Sequence, residues 1–445
     1  MLFLPVSDTP VLHTESCNPL QTEPVFTVMQ IPAQSALLVL LLSCHNDAVT
    51  LCFVFRQHTS SVRPDLHLHY VQACQKSGQP ENPFVAHVLQ EADKNDEIRC
   101  TKGITLKIAG NNHPVPVQRV TDDDLGVLAS ILRHAAFVKG LDLAYNVLTD
   151  AGAKTMATFL QENSSLQYLN LMFNDVGTSG AELIAGALHR NRSLVHMRMT
   201  GNKIGDQGGM FFASMLQSNS TLQKLDLGDC DLEETTVHIA KMLKDNSSLV
   251  ELHLSKHEMK NFGVERLCEA LYENSSLRYL DLSCNKITSD GVKFLGELLK
   301  WNQSLVILDL NANRIEDVGA TYLSEALILH NRTLQALSVV SCSISGKGLT
   351  ALSNAIKANT ILSYIYIWGN TFDEDACMSF SELIQMGRLN PNCTDVTPYE
   401  VDGQAQLAEL SHGLQREYYW APRHRVVADS AANASLGLVA VSEYL

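Results

Sequence analysis

The chain repeats itself every 28 residues, and that period constrains its fold more than any other feature. The first apolar position of each Leu-x-x-Leu-x-Leu copy falls at Val138, Leu166, Leu194, Leu222, Leu249, Leu277, Leu305, Leu334 and Leu362, with spacings of 28, 28, 28, 27, 28, 28, 29 and 28. In the copy "LRYLDLSCNKITSDGVKFLGELLKWNQS", Leu277, Leu280 and Leu282 mark a short strand with inward leucines, because alternate strand residues face opposite sides. Asn285 takes the turn and Ile287 packs beneath it. Ser289, Asp290 and Gly291 open a helix, and Val292, Leu295 and Leu299 recur on one of its faces.

One such unit offers about six inward apolar side chains, each worth roughly 1.5–3 kcal/mol on burial, and leaves both flanks open until neighbours stack on them. The expected fold class is therefore α/β, a solenoid with a parallel sheet on the concave side and helices on the convex side. A chain of 445 residues needs no single large core to build it.

The unit resembles the long, ribonuclease-inhibitor-type leucine-rich repeat, whose arrays are horseshoes with Asn or Cys at the turn and Gly before the helix. Asn146, Asn174, Asn202, Asn285, Asn313 and Asn370 occupy the turn, and Cys230 and Cys342 take the same place. His257 is the exception and reads as a turn residue rather than a metal ligand. The Gly position is filled at 152, 180, 208, 263, 291, 319 and 348. The fourth repeat, "LQKLDLGDCDLEETTVHIAKMLKDNSS", lacks that Gly and is one residue short, so a local irregularity is expected there.

The nine repeats occupy 138–387. Before them, 81–137 reads as an N-terminal cap: a helix entered at Pro83 with Phe84, Val88 and Leu89 as its apolar side, then a degenerate repeat over Ile104–Ala135. Residues 1–80 form an atypical apolar leader. Its stretch "ALLVLLLSCHNDAVTLCFVF" has spanning length, yet His45, Asn46 and Asp47 sit at its centre, and a central Asp costs roughly 2.5–3.5 kcal/mol on insertion. Two short strands or buried segments around a polar turn, or a poorly ordered leader, are favoured over a membrane span. Residues 388–445 read as a C-terminal cap with a hairpin around Asp402-Gly403, an aromatic cluster at Tyr418, Tyr419 and Trp420, and a loose tail.

A formal charge of −15 disfavours direct nucleic-acid binding, which needs clustered Lys and Arg. Eleven cysteines without a paired CxxC pattern suggest neither a zinc site nor a disulfide framework. No nucleophile elbow, phosphate loop, HExxH or kinase motif is present, so no catalytic residue and no cofactor is expected. Nine Asn-x-Ser/Thr triplets would suit a secreted glycoprotein, but seven of them, at Asn163, Asn191, Asn219, Asn246, Asn274, Asn302 and Asn331, recur in one register three residues before a strand. There they read as repeat turns. No basic n-region precedes the apolar run, so a signal peptide is not expected.

What remains is a binding surface. Asp142, Asp226, Asp281 and Asp309 share the position between paired leucines, joined by Asp229 and interrupted by Arg198 and His253, and this row is expected to be an exposed acidic stripe on the concave face. At its C-terminal end Tyr364, Tyr366 and Trp368 are expected to be exposed as an aromatic anchor, with Tyr145, Tyr168, Phe173 and Tyr279 extending the aromatic content. These residues are the candidate partner-binding set.

Beyond the repeats, "KGITLKIAGNN", "MRMTGNKIGDQGGMFFASMLQ", "YIYIWGN", "VDGQAQLAELSHGL" and "YYW" resemble one branch of the leucine-rich repeat family, caps included. The resemblance implies a non-enzymatic protein-interaction scaffold, nuclear and nucleolar and also cytoplasmic, acting in stem and germ cells on pluripotency, proliferation and differentiation, with nucleophosmin and nucleolin as associates. Two departures stand out: the apolar leader, and one further repeat that the branch carries between Leu232 and Glu233. The alternatives are a GTPase-activating protein, since related repeats occur in Ran GTPase activators, and a secreted or surface receptor.

Overall fold

The computed structural model describes residues 37–45, 48–56, 65–94, 103–111, 117–232, 235–410 and 438–440. Two compact units emerge, Met1–Pro64 and Asp65–Leu445. In the first, β1 (Leu37–His45) and β2 (Ala48–Arg56) form an antiparallel hairpin, paired from Leu37–Arg56 to His45–Ala48. The apolar stretch of the leader is thus two strands. Among the described residues no helix is long and apolar enough to cross a membrane.

The second unit begins with α1 (Leu66–Ser77) and α2 (Pro83–Lys94). α1 falls inside the segment expected to be leader, yet it packs against α2 and buries Leu66, Tyr70 and Cys74. The Tyr70 hydroxyl accepts the Asn82 N–H at 3.0 Å, a tie to the start of α2 that a hydrophobicity pattern does not reveal. β3 (Ile104–Lys107) and α3 (Asp122–Leu132) complete the N-terminal cap, α3 opening with a capping box between Thr121 and Asp124.

Nine strand–helix units follow. They pair β4 (Val138–Asp142) with α4 (Asp150–Glu162), β5 (Tyr168–Asn170) with α5 (Thr178–Leu188), and β6 (His196–Arg198) with α6 (Gly205–Leu216). Then come β7 (Lys224–Asp226) with α7 (Thr236–Asp245), β8 (Glu251–His253) with α8 (Lys260–Leu271), and β9 (Tyr279–Asp281) with α9 (Ser289–Trp301). The last are β10 (Ile307–Asp309) with α10 (Glu316–Leu329), β11 (Ala336–Ser338) with α11 (Gly346–Ala358), and β12 (Tyr364–Tyr366) with α12 (Glu374–Gln385).

β3 to β12 form one parallel sheet in chain order, and β15 (Leu438–Ala440) joins it antiparallel beside β3. A hairpin of β13 (Val396–Val401) and β14 (Gln404–Glu409) lies at the other end, with Asp402 and Gly403 both in the left-handed region its two-residue turn demands. The inward leucines, such as Leu277, Leu280 and Leu282, have no exposed surface. They make one continuous apolar core along the array.

Stacking also buries backbone polar groups, and two ladders of side chains satisfy them. At the turn, Asn285 Nδ2 donates to the Leu254 carbonyl of the preceding coil at 2.7 Å, while its Oδ1 accepts the His257 N–H at 2.9 Å. His257 performs the same task with a ring: Nε2 meets the Leu227 carbonyl at 2.8 Å, and Nδ1 faces the Leu232 N–H at 3.3 Å. That geometry requires a neutral Nε2–H tautomer, and burial accordingly depresses the His257 pKa.

The second ladder runs through the glycosylation-like triplets. Asn274 Nδ2 donates to Leu243 and Asn246 carbonyls, and its Oδ1 accepts the Ser276 and Leu277 N–H groups. Asn191, Asn219, Asn246, Asn302 and Asn331 repeat both halves, Asn163 repeats the acceptor half, and all seven are buried, so none presents its amide to a glycosyltransferase in the folded chain. Arg388 closes this ladder by donating to the Asn359 and Leu362 carbonyls, and Asp395 closes the sheet by accepting the Ile367 and Trp368 N–H groups.

Carboxylates tie successive convex helices together. Asp150, in the first turn of α4, accepts the Gly177 and Gly180 N–H groups at 2.7 and 3.0 Å. A Cβ at Gly180 would come within 2.6 Å of that carboxylate and 2.8 Å of the Ala153 methyl, which is why the register demands glycine. In the fourth repeat Thr236 takes the position, and α6 and α7 are the most loosely packed of consecutive repeat helices. A cleft of about 480 Å³ opens there, lined by Met210, Val237, Met259 and Phe262 among others.

Candidate functional site

The parallel strands fix three rows of side chains on the concave face. The central row runs Asp142, Asn170, Arg198, Asp226, His253, Asp281, Asp309 and Ser338, each registered beside the next by strand pairing. Its members were expected to be an exposed stripe, and that expectation is corrected. Asp226, His253, Asp281 and Asp309 are 5%, 3%, 9% and 3% exposed, and only Asp142 and Arg198 keep intermediate exposure.

The reason lies in how a short side chain sits on a closely spaced ladder. Each acid folds back on its own strand: Asp142, Asp226, Asp281 and Asp309 accept the N–H two residues on, from Ala144, Gly228, Ser283 and Asn311, at 2.9–3.1 Å. Neighbours then seal the flanks. Arg198 Nε donates to Asp226 Oδ2 at 3.2 Å, and His253 Nδ1 lies 3.4 Å from Asp281 Oδ2.

The charges in this row are strongly coupled to burial. Burial opposes ionisation of Asp226, but Arg198 and His253 outweigh it and hold the carboxyl below its usual range. Burial likewise opposes a charged His253, yet the hydrogen bond with Asp281 and the surrounding carboxylates raise its pKa. Asp309 has no such cation among the described residues: burial, with Asp281 beside it, pushes its pKa well above the carboxylate range. His196, one row over, is driven well below the histidine range by burial and by Arg198 and Lys224.

The aromatic residues divide between floor and rim. Tyr168 and Tyr279 are 3% and 2% exposed and stand edge-on to His196 and His253. Tyr366 has no exposed surface and joins Tyr279, Ile307 and Ala336 in an apolar patch, so its expected role as an exposed anchor is also corrected. Tyr364 and Trp368 stay half-buried, Trp368 tilted against Phe372 at 5.9 Å. At the N-terminal end Tyr145 and Phe173 stack at 4.7 Å and 20°. Both hold φ near +55°, at 59° and 51°, a backbone region that bulky side chains occupy at a cost on the order of 1 kcal/mol or more. Phe173 is 38% exposed, and its ring lies over Gly201.

Asp229 lies on the same rim, paired with Lys256 at 2.7 Å. Reading the repeat residue by residue missed three contributors: the Lys224–Glu251 pair at 2.7 Å, Asn311, which accepts the Ser338 hydroxyl and Val340 N–H, and the patch residues Ile307 and Ala336. All stand on concave positions, so the strand alternation held their signal. Among the described residues, no group of three or more His, Cys, Asp or Glu is arranged to hold a metal ion, and Cys74, Cys230, Cys268, Cys284, Cys342 and Cys377 are free thiols.

The sequence profile of the Leucine Rich repeat family matches residues 134–157, 162–185, 190–213, 218–234, 273–296, 302–324 and 330–353. Leucine-rich repeat-containing protein 34 of Homo sapiens is 55% identical over 410 residues, covering 85% of this chain and 88% of the human one. The Mus musculus protein of the same name is 53% identical over 412 residues, covering 85% and 99%. A chain from the crystal structure of the Rad7 and Elc1 complex in yeast superposes with a TM-score of 0.36 at 14% identity, covering 70% of this chain and 89% of that one.

Proposed function

The chain belongs to the leucine-rich repeat-containing protein 34 family, and on that premise we propose that it is a non-enzymatic scaffold that binds other proteins along its concave face. The carrying observation is the pair of rim aromatics, Tyr145 and Phe173, held in left-handed backbone and stacked with Phe173 open to solvent. The left-handed backbone itself belongs to the repeat turn, which Lys256, Cys284, Ala312 and Ser341 adopt as well; what sets this pair apart is two large aromatic rings stacked on an accessible rim. Trp368 and Tyr364 supply a second aromatic site at the other end, and aromatic side chains of this kind dominate interface energetics.

The finer reading is a nuclear and nucleolar protein, present also in the cytoplasm, that supports proliferation and the undifferentiated state of stem and germ cells. Nucleophosmin and nucleolin are its proposed partners. The caps and repeats that resemble this branch support it.

Purified nucleophosmin and nucleolin, each passed over the immobilised chain, test the reading. Binding by either, weakened at least tenfold by Phe173→Ala with Trp368→Ala while the far-ultraviolet circular dichroism stays unchanged, is the expected result. Binding that survives both substitutions removes the rim from the account, and no binding by either protein removes these two partners.

A further inference from the structure

On the helical side, α8, α9 and α10 end in three large apolar residues that solvent reaches: Tyr272, Trp301 and Leu329 are 49%, 72% and 66% exposed. Tyr272 directly follows α8, and the other two are the last residues of α9 and α10. The repeat does not require them. Trp301 and Leu329 stand ten residues after the register glycines Gly291 and Gly319, a place that Glu162, Arg190 and Ser218 take after Gly152, Gly180 and Gly208. One exposed leucine needs no explanation, but a tryptophan with two further large apolar groups on successive, packed helices makes a patch of the kind that marks an interface.

A row of acids runs beside this patch. Glu269, Glu297 and Glu325 are exposed, and each lies six residues after its glycine, where other coils carry Thr158, Gly186, Ser214 and Asn354. Glu269 pairs with Arg266 at 2.8 Å and Glu297 with Lys300 at 2.5 Å, in each case three residues away on the same helix. Such exposed pairs contribute little and give way readily to another cation. α10 contains no Lys or Arg at all. The patch also sits at the C-terminal ends of three helices that run in one direction, each returning from one parallel strand to the next, and that is the negative end of each dipole. The chemistry that complements this surface is therefore both apolar and basic.

Spacing selects the form of the ligand. Packed helices lie about 8–10 Å apart, so the acids recur at that interval. An α-helix laid across them covers it in about six to seven residues, and residues seven apart return to one face. An extended chain covers it in about three residues, and residues three apart on a strand face opposite ways, so it cannot turn a cation to each successive acid.

We propose that the C-terminal halves of α8, α9 and α10 form a second docking surface, for a basic amphipathic helix of a protein partner. That helix carries Lys or Arg at every seventh position, opposite Glu269, Glu297 and Glu325, and aliphatic or aromatic residues between them, against Trp301 and Leu329. The surface is separate from the concave face: a protein held there leaves it open, so one chain can join two ligands.

The probe is a dye-labelled synthetic helix of about three heptads, with arginine at every seventh position and leucine and tryptophan between, titrated with the full chain and read by fluorescence anisotropy. Binding is expected, weakened at least tenfold by Trp301→Ala with Leu329→Ala, several-fold by Glu297→Lys with Glu325→Lys, and not at all by Phe173→Ala with Trp368→Ala. A peptide of the same composition with its arginines at every fifth position is expected to bind at least tenfold more weakly. No binding, equal binding of the two peptides, or binding that survives the Trp301 and Leu329 substitutions overturns the proposal. Sedimentation of the chain alone adds one more outcome: a dimer that Trp301→Ala dissolves assigns the patch to a second copy and overturns it as well. If nucleophosmin and nucleolin fail to bind while the heptad peptide does, that partner reading falls and this one stands.

Discussion

Replacing Asn274 by alanine removes one rung of the ladder that joins each helix to the next strand. The side chain is 6% exposed; its Nδ2 donates to the Leu243 and Asn246 carbonyls at 2.7 and 3.0 Å, and its Oδ1 accepts the Ser276 and Leu277 N–H groups at 3.0 and 2.9 Å. Four backbone groups thus lose a partner. An orphaned buried group costs about 1–3 kcal/mol, and at the lower end, because carbonyls keep a second lone pair, the sum is about 3–4 kcal/mol. For a cooperative unit as large as Asp65–Leu445 that is a fall in Tm of about 4–5 °C. Urea unfolding followed by circular dichroism measures it, with an unchanged m-value showing that the same transition is compared. Asn274→Asp keeps the acceptor but turns an oxygen toward two carbonyls, so it should do no better than alanine. A loss within about 0.5 kcal/mol, the range of ordinary surface substitutions, refutes the ladder.

His257→Asn restores the commoner turn residue. Burial depresses the folded-state pKa of His257 below its ordinary 6.5, so its contribution is present above that value and lost as pH falls; the variant should lose less Tm between pH 7 and pH 5.5 than the parent. Asp309 has the opposite sign: its folded pKa lies well above 3.8, so stability is lost as pH rises, and Asp309→Asn should melt higher than the parent at pH 7 and equally below pH 3.8. Gly201→Ala should cost about 1–3 kcal/mol in chemical denaturation, because φ there is 74° and the new Cβ would lie 2.4 Å from the Phe173 ring.

The repeat was legible because its signal is local and periodic: leucine spacing, turn Asn and glycine are each set within one coil and copied in the next. The same period showed the Asn-Ser-Ser triplets to be turns, and buried Asn163 and Asn274 bear that out. Exposure of the concave row was not legible. Strand alternation places Asp226 and Tyr366 on that face, but whether they meet solvent depends on neighbours about 28 residues away, which a single repeat does not encode. The left-handed backbone of Tyr145 and Phe173 was hidden because the repeat turn imposes it on whatever residue falls there: Gly201, Asp229, Lys256, Cys284, Ala312, Ser341 and Gly369 in the other coils share no side-chain signal for it.

Hydroxyl-radical footprinting of the chain with and without a bound protein partner tests the central claim, that recognition lies on the concave side. Phe173 and Trp368 mark the concave rim, and Phe262 and Trp301, 61% and 72% exposed on α8 and α9, mark the helical side. The account predicts that oxidation of Phe173 and Trp368 falls several-fold in the complex while Phe262 and Trp301 react as before. Protection of Phe262 and Trp301 with an unprotected rim would place the partner on the helices and contradict it.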